Sequence, residues 1–226
     1  MKLDIQHIKR KWMKLRLQPI RVFCFHQVSD VFVPLAMWEC DWMSTEDFKT
    51  KICDLQNEYT FISLPEAYQK LQHDTFRMKK YAVLTADDGS KTIECILPWL
   101  HEQHIPLTMF LNGSYLDGKT YREDPAERYF TIEEIMHLNM DNITFGHHSW
   151  NHKDLSALTK EDFASFIQLN KDMLSGLPNV IPFWAYPYGT HSAQSDEMLL
   201  KEGLIPLYMD GEANYMEKYG IHRELL

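Results

Sequence analysis

The sequence predicts an α/β fold: parallel strands joined by crossover helices, open or closed into a barrel. Three observations carry this. Short apolar runs alternate along the chain with amphipathic segments of helical period. Between them, Ser or Thr followed three positions later by an acid marks helix starts. The length of 226 residues suits an α/β barrel folded as one unit, so residues 1–226 are read as a single domain.

The elements follow in order. Ile5, Ile8, Trp12 and Leu15 recur at helical spacing among Lys and Arg, which predicts a basic amphipathic helix within residues 1–20. Such a helix suits docking on the acidic body of its own domain, or peripheral contact with an anionic membrane. Val22 to Phe25 is an apolar run, so Arg21–Val28 reads as a strand. Ser44 with Asp47 opens a helix whose apolar face is Phe48, Ile52, Leu55 and Tyr59. Phe61-Ile62 is a short strand, and Ser63 with Glu66 starts a second helix. Tyr81–Thr85 is a strand broken by Asp87-Asp88-Gly89. Ser90–His101 reads as a helix with an irregularity at Pro98. Strand Pro106–Leu111 precedes a polar loop insertion over residues 112–130. Thr131 with Glu134 starts a helix, Ile143–Phe145 is strand-like, and Thr159 with Asp162 caps a helix through Leu174. Strand Ile181–Ala185, helix 195–202 and strand Leu204–Tyr208 complete the alternation. From Asp210 to Leu226 the periodicity is weak, and no element is predicted.

Charge and composition exclude several classes. The net charge of −9 argues against a nucleic-acid binder. The charge is uneven, because residues 1–21 hold seven basic side chains and one acid. No run of 18 apolar residues predicts a transmembrane helix. Cys24, Cys40, Cys53 and Cys95 lack zinc-finger spacing and read as reduced thiols. Lys14, Arg16 and Arg21 interrupt the only candidate for a signal-peptide apolar core, so a cytoplasmic protein is expected.

Three constellations lie at strand ends, where α/β barrels keep their chemistry. In Thr85-Ala86-Asp87-Asp88-Gly89, one acid can bind a cation while its neighbour handles a proton. An Asp-Gly turn or a helix cap is the structural alternative. In Gly146-His147-His148-Ser149-Trp150-Asn151-His152, two His at i and i+4 would share a helix face and reach one ion. One Asp and two His leave a coordination position open for water, as catalytic zinc requires. Asp154 could orient a ligand His or cap a turn. In Phe183-Trp184-Ala185-Tyr186-Pro187-Tyr188-Gly189, aromatics beside a strand end suit stacking on sugar faces, or core packing around a turn. Trp150, Trp184, Tyr186 and Pro187 are the candidate substrate contacts.

Taken together, these motifs resemble the polysaccharide deacetylases with the NodB homology domain, carbohydrate esterase family four. Thr85-Ala86-Asp87-Asp88-Gly89 stands for their Thr-Phe-Asp-Asp-Gly, and His148-Ser149-Trp150-Asn151-His152 for their His-Ser/Thr-x-x-His. Ala185-Tyr186-Pro187-Tyr188-Gly189 keeps all of their third motif but its Arg. The resemblance spans roughly residues 20–210. It implies a distorted parallel (β/α) barrel with fewer than eight strands. It also implies an N-acetylated amino sugar or glycan as substrate, and a divalent metal on Asp88, His148 and His152. That metal would be Zn2+, with Co2+, Ni2+ or Mn2+ as alternatives. Asp87 would be the general base, and the Tyr188 backbone N–H would serve the oxyanion hole. Ala185 stands where many members have the Arg that orients the base. Phe25-His26-Gln27-Val28 resembles the N-terminal segment of members that also lack it, which makes His26 the candidate general acid. Ile221-His222-Arg223 is a looser echo of the C-terminal motif, with His222 as the alternative acid. A catalytically impaired glycan-binding protein and an amidohydrolase of non-sugar C–N bonds are the competing functions.

Overall fold

The computed structural model describes residues 17–31, 42–118, 128–138, 140–155, 158–216 and 219–226. The expected basic helix within residues 1–20, its membrane contact and Cys40 fall on residues 1–16 and 32–41, outside that set.

Strands β1 (Ile20–Phe25), β5 (Tyr81–Ala86), β6 (Leu107–Leu111), β7 (Ile143–His147), β8 (Val180–Ala185), β9 (Ile205–Met209) and β10 (Ile221–Leu225) pair in parallel. β1 pairs with both β10 and β5, so these strands close into a seven-stranded barrel. Three short strands stand apart from the ring. β2 (Gln27–Val28) pairs with β3 (Trp42–Met43), while β4 (Thr60–Phe61) extends the edge of β5. This is the distorted (β/α) barrel with fewer than eight strands that the motifs imply.

The helices form where their caps lie. Ser44 and Ser63 accept backbone N–H bonds at the starts of α1 (Thr45–Gln56) and α2 (Leu64–His73). Thr131 and Thr159 form reciprocal capping boxes at α4 (Ile132–His137) and α5 (Lys160–Leu174). Each such cap supplies about 1 kcal/mol of helix stability. α6 (Ala193–Lys201) starts at Ser192. The predicted Ser90–His101 helix is instead a 3-10 helix, Lys91–Ile96, running into α3 (Leu97–Glu102). The change falls just before Pro98, whose ring is tolerated only in the first turn of an α-helix. Within the predicted 112–130 loop, Gly113–Asp117 is a 3-10 turn and residues 119–127 are outside the description.

The largest departure is the tail. Ile221–Leu225 is the strand that closes the barrel, though its sequence carries three ionisable residues, His222, Arg223 and Glu224. Arg223 faces inward among lumen side chains and breaks the hydrophobic pattern by which a strand is read.

Strand alternation divides the core in two. Ile20, Val22, Val83, Phe110, Phe183, Ala185, Leu207 and Ile221 fill the barrel interior. Leu84, Ala86, Leu107, Met109, Ile143 and Phe145 pack outward beneath helices. Phe110 crosses the lumen at Gly146, where a Cβ would lie 2.4 Å from its ring. Glycine at that position therefore lets the interior fill. No helix among the described residues is long and apolar enough to cross a membrane.

Candidate metal centre and active site

The barrel's C-terminal rim collects the ionisable groups. Asp87 and Asp88 follow β5, His148 and His152 follow β7, Tyr188 follows β8, and His26 follows β1. Four of these or their neighbours hold left-handed backbone without being glycine: Asp88 (φ 69°), Ser149 (69°), His152 (55°) and Tyr188 (58°). Each costs roughly 1–2 kcal/mol, and such strain concentrates at functional sites.

Asp88, His148 and His152 offer three ligand atoms within 4.8 Å of one another. Asp88 Oδ1 lies 3.4 Å from His148 Nε2 and 3.2 Å from His152 Nε2. The two rings converge at 5.0 Å between centroids. They do not do so on a helix face, as the i, i+4 spacing suggests. Residues 148–154 are turn and loop, and the left-handed Ser149 and His152 bend the chain so that both rings face Asp88.

These residues fit a divalent cation. His148 Nδ1 donates to the Ala185 carbonyl at 2.9 Å, which leaves the Nε2 lone pair aimed at Asp88. That Nε2 is buried and makes no hydrogen bond. An imidazole acceptor so placed, beside a carboxylate and a second imidazole, is a donor set that suits a divalent transition metal. The field has the matching sign. Burial works against a proton on His148, but Asp87 and Asp88 outweigh it and hold the imidazole above its usual range. Burial likewise opposes charge on Asp88, yet His152 and His148 hold its carboxyl well below the usual carboxylate range.

Asp87 has a different environment. It is 3% exposed, and both its oxygens are taken by one guanidinium: Arg223 Nη1 donates to Oδ1 at 2.7 Å and Nη2 to Oδ2 at 2.8 Å. β10 and β5 flank β1, so Arg223 reaches across Cys24 to make the pair. Phe110 stacks beneath the guanidinium, 5.3 Å from its carbon to the ring centroid. Burial alone would raise the Asp87 carboxyl. Arg223, then His148 and His26, hold it far below the usual range. Sequence reasoning missed this residue. The Arg absent at Ala185 has a counterpart on another strand, and the signal was present in Ile221-His222-Arg223.

His26 lies at this rim beside Asp87. A ring nitrogen of His26, the Cys24 thiol and an Asp87 oxygen lie within 4.8 Å of one another. His222 does not join them: its Nδ1 bonds Asp210 at 2.6 Å and its ring lies beside Tyr208, on the strand face opposite Arg223. Tyr188 is 55% exposed, and its ring stands edge-on to His152 at 4.6 Å.

Two expected sugar contacts are elsewhere. Trp184 and Tyr186 are buried, packed with Phe163 of α5 and Leu199 of α6. On β8, Phe183 and Ala185 face the lumen, so the alternate residues point out beneath the helices. Tyr186 also donates to Asp196 at 2.9 Å, a structural bond. Pro187 is buried in the turn, and Trp150 lies half-buried over Gly113. Asp154 accepts from the Thr190 hydroxyl at 3.4 Å.

A closed parallel barrel with paired aspartates, a two-histidine loop and a buried arginine at its C-terminal rim is the frame of a glycan deacetylase. The chain belongs to the polysaccharide deacetylase family, whose family model matches residues 76–205. His26 and Arg223 lie outside that match, and solved structures similar to this chain cover more of its length. IcaB from Ammonifex degensii superposes with a TM-score of 0.73 at 20% identity, covering 93% of each chain. The Streptococcus pyogenes deacetylase PplD, solved with acetate, gives 0.72 at 16% identity, again with 93% of each chain. A de-N-acetylase from Aggregatibacter actinomycetemcomitans gives 0.71 at 15%, covering 92% of this chain and 95% of that one. At these identities the likeness is one of fold. No curated protein sequence matches the chain.

Proposed function

We propose that the chain is a metal-dependent N-deacetylase acting on an acetylated amino sugar in a glycan or glycan precursor. One observation carries the reading. A buried His148 Nε2 without a hydrogen bond faces Asp88 and His152, beside an aspartate clamped by arginine.

Asp88, His148 and His152 would hold the cation, for which two imidazoles and a carboxylate favour zinc, while cobalt, nickel or manganese suit the same donors. When bound, such an ion supplies Lewis acidity, polarising an acyl oxygen and lowering the pKa of water. The chain's own groups do the rest. Asp87 accepts a proton from the attacking water, and Arg223 keeps it ionised and fixed in orientation. His26 delivers a proton to the departing amine, so that amide and water become acetate and free amine. The Tyr188 backbone N–H donates to the developing oxyanion.

The inactive-binder reading drew on the Arg missing at Ala185 and on the unclear C-terminal motif. Arg223 on Asp87 weakens the first of these motives. Of the two aromatics in the third motif, Tyr186 is buried and exposed Tyr188 is the one available to a sugar face.

The test is elemental analysis of the purified chain without added metal, followed by acetate release from an N-acetylated chito-oligosaccharide. About one equivalent of a divalent transition metal, with acetate released, supports the function. A protein that holds none, and takes up neither zinc nor cobalt, is not this enzyme.

A further inference from the structure

We infer that Asn112 is a positioning residue for the metal centre, registering Asp88 against the histidine loop. The inference rests on the metal reading above and extends it beyond the ligands.

Asn112 directly follows β6 and is fully buried. Its Nδ2 donates to Asp88 Oδ1 at 3.2 Å, the same oxygen that faces both imidazoles. An ionised carboxylate only accepts, so the amide nitrogen must be the group turned toward it. That leaves Asn112 Oδ1 buried without a hydrogen-bond partner. A residue kept only to fill space would avoid such a group, since leucine has nearly the same shape and no unmet acceptor.

The backbone around Asn112 carries the other half of the site. The His148 N–H donates to the Leu111 carbonyl at 3.0 Å, Gly113 N–H to Ser149 at 3.2 Å, and Ser114 N–H to Trp150 at 2.8 Å. The approach is close enough that a Cβ on Gly113 would lie 2.7 Å from the Trp150 ring. Asn170 of α5 locks the same seam, donating to the Leu111 and Ser149 carbonyls and accepting from His147 Nδ1 at 2.6 Å. The histidine loop is therefore bonded residue by residue to the segment that carries Asn112. The side chain of Asn112 then ties that segment to Asp88. Three ligand atoms from two different strand ends acquire a common frame through this residue. Outer-shell partners of this kind set ligand orientation and hence affinity.

The experiment measures zinc affinity by chelator competition, the Co2+ absorption spectrum and metal-free unfolding temperature for wild type, Asn112→Leu and Asn112→Ala. Leucine keeps the volume and alanine removes it, but both lose the donor. Positioning predicts roughly 10- to 100-fold weaker zinc binding in both, with a changed cobalt spectrum and, for leucine, an unfolding temperature near wild type. Wild-type affinity in Asn112→Leu would overturn the inference and leave a packing role. Should leucine fail to fold, alanine with wild-type affinity overturns it equally. A wild-type chain that binds no metal overturns the metal reading itself, and is seen before any substitution is made.

Discussion

Replacing Arg223 by Met keeps the length of the side chain and removes its charge from a site 1% exposed. Asp87 then remains as a buried carboxylate whose two guanidinium bonds, at 2.7 and 2.8 Å, are gone. Breaking one side of a buried pair costs about 3–5 kcal/mol, because the surviving charge is uncompensated. For a chain of this size 1 kcal/mol moves the unfolding temperature by roughly 2–4 °C. Arg223→Met should therefore unfold some 6–20 °C lower at pH 7. The pH dependence has a defined sign. In the wild type the Asp87 carboxyl is depressed, so its contribution is present above about pH 4 and lost as pH falls through the folded-state value. In the variant only His148 and His26 offset burial, so the carboxyl rises from its wild-type position and the deficit against wild type shrinks as pH falls toward 4. Adding Asp87→Asn should recover much of the loss, since no buried charge remains. Thermal and urea unfolding of the single and double variants at pH 7 and near pH 4.5 measure all three effects. A variant as stable as wild type at pH 7, or a double variant no more stable than Arg223→Met, would refute this account of the pair.

Asp87→Asn is expected to retain bound metal while turnover falls roughly 100- to 10,000-fold, the usual worth of a general base; metal content and acetate release are measured on the same preparation. His26→Ala should lower turnover with metal retained, while His222→Ala, with its ring held by Asp210 on the other strand face, should stay near wild type; the reverse result would exchange their roles. Gly146→Ala drives a methyl into the Phe110 ring, and a loss of about 1–3 kcal/mol is expected in denaturant unfolding. Burial pushes the His147 imidazole down to about 4, so the unfolded chain binds a proton that the folded chain refuses between that value and about 6.5. Stability should fall by about 3 kcal/mol across that window as pH decreases, and His147→Gln should flatten the fall if its amide keeps the Asn170 bond.

Local signals in the chain settled much of the architecture. The Ser and Thr caps at Ser44, Ser63, Thr131 and Thr159 mark where helices begin, because a cap is satisfied by residues three positions away. Apolar runs such as Val22–Phe25 and Leu107–Leu111 mark strands buried on both faces. The Asp-Asp-Gly and two-histidine motifs, both short, were legible for the same reason.

Contacts between distant residues were not legible. Spacing alone suggested a helical His pair, whereas a turn through left-handed Ser149 and His152 brings the rings together. Aromatic character alone could not say that Trp184 and Tyr186 face outward under α5 and α6, since that depends on which face of β8 the barrel encloses. Asp87 and Arg223 stand 136 positions apart. Their pairing exists because β10 closes the ring beside β1, and a strand's partner is set by the packing of the whole barrel. An inward arginine erases the alternation by which a strand is read, so the residue that clamps Asp87 also concealed the strand that carries it.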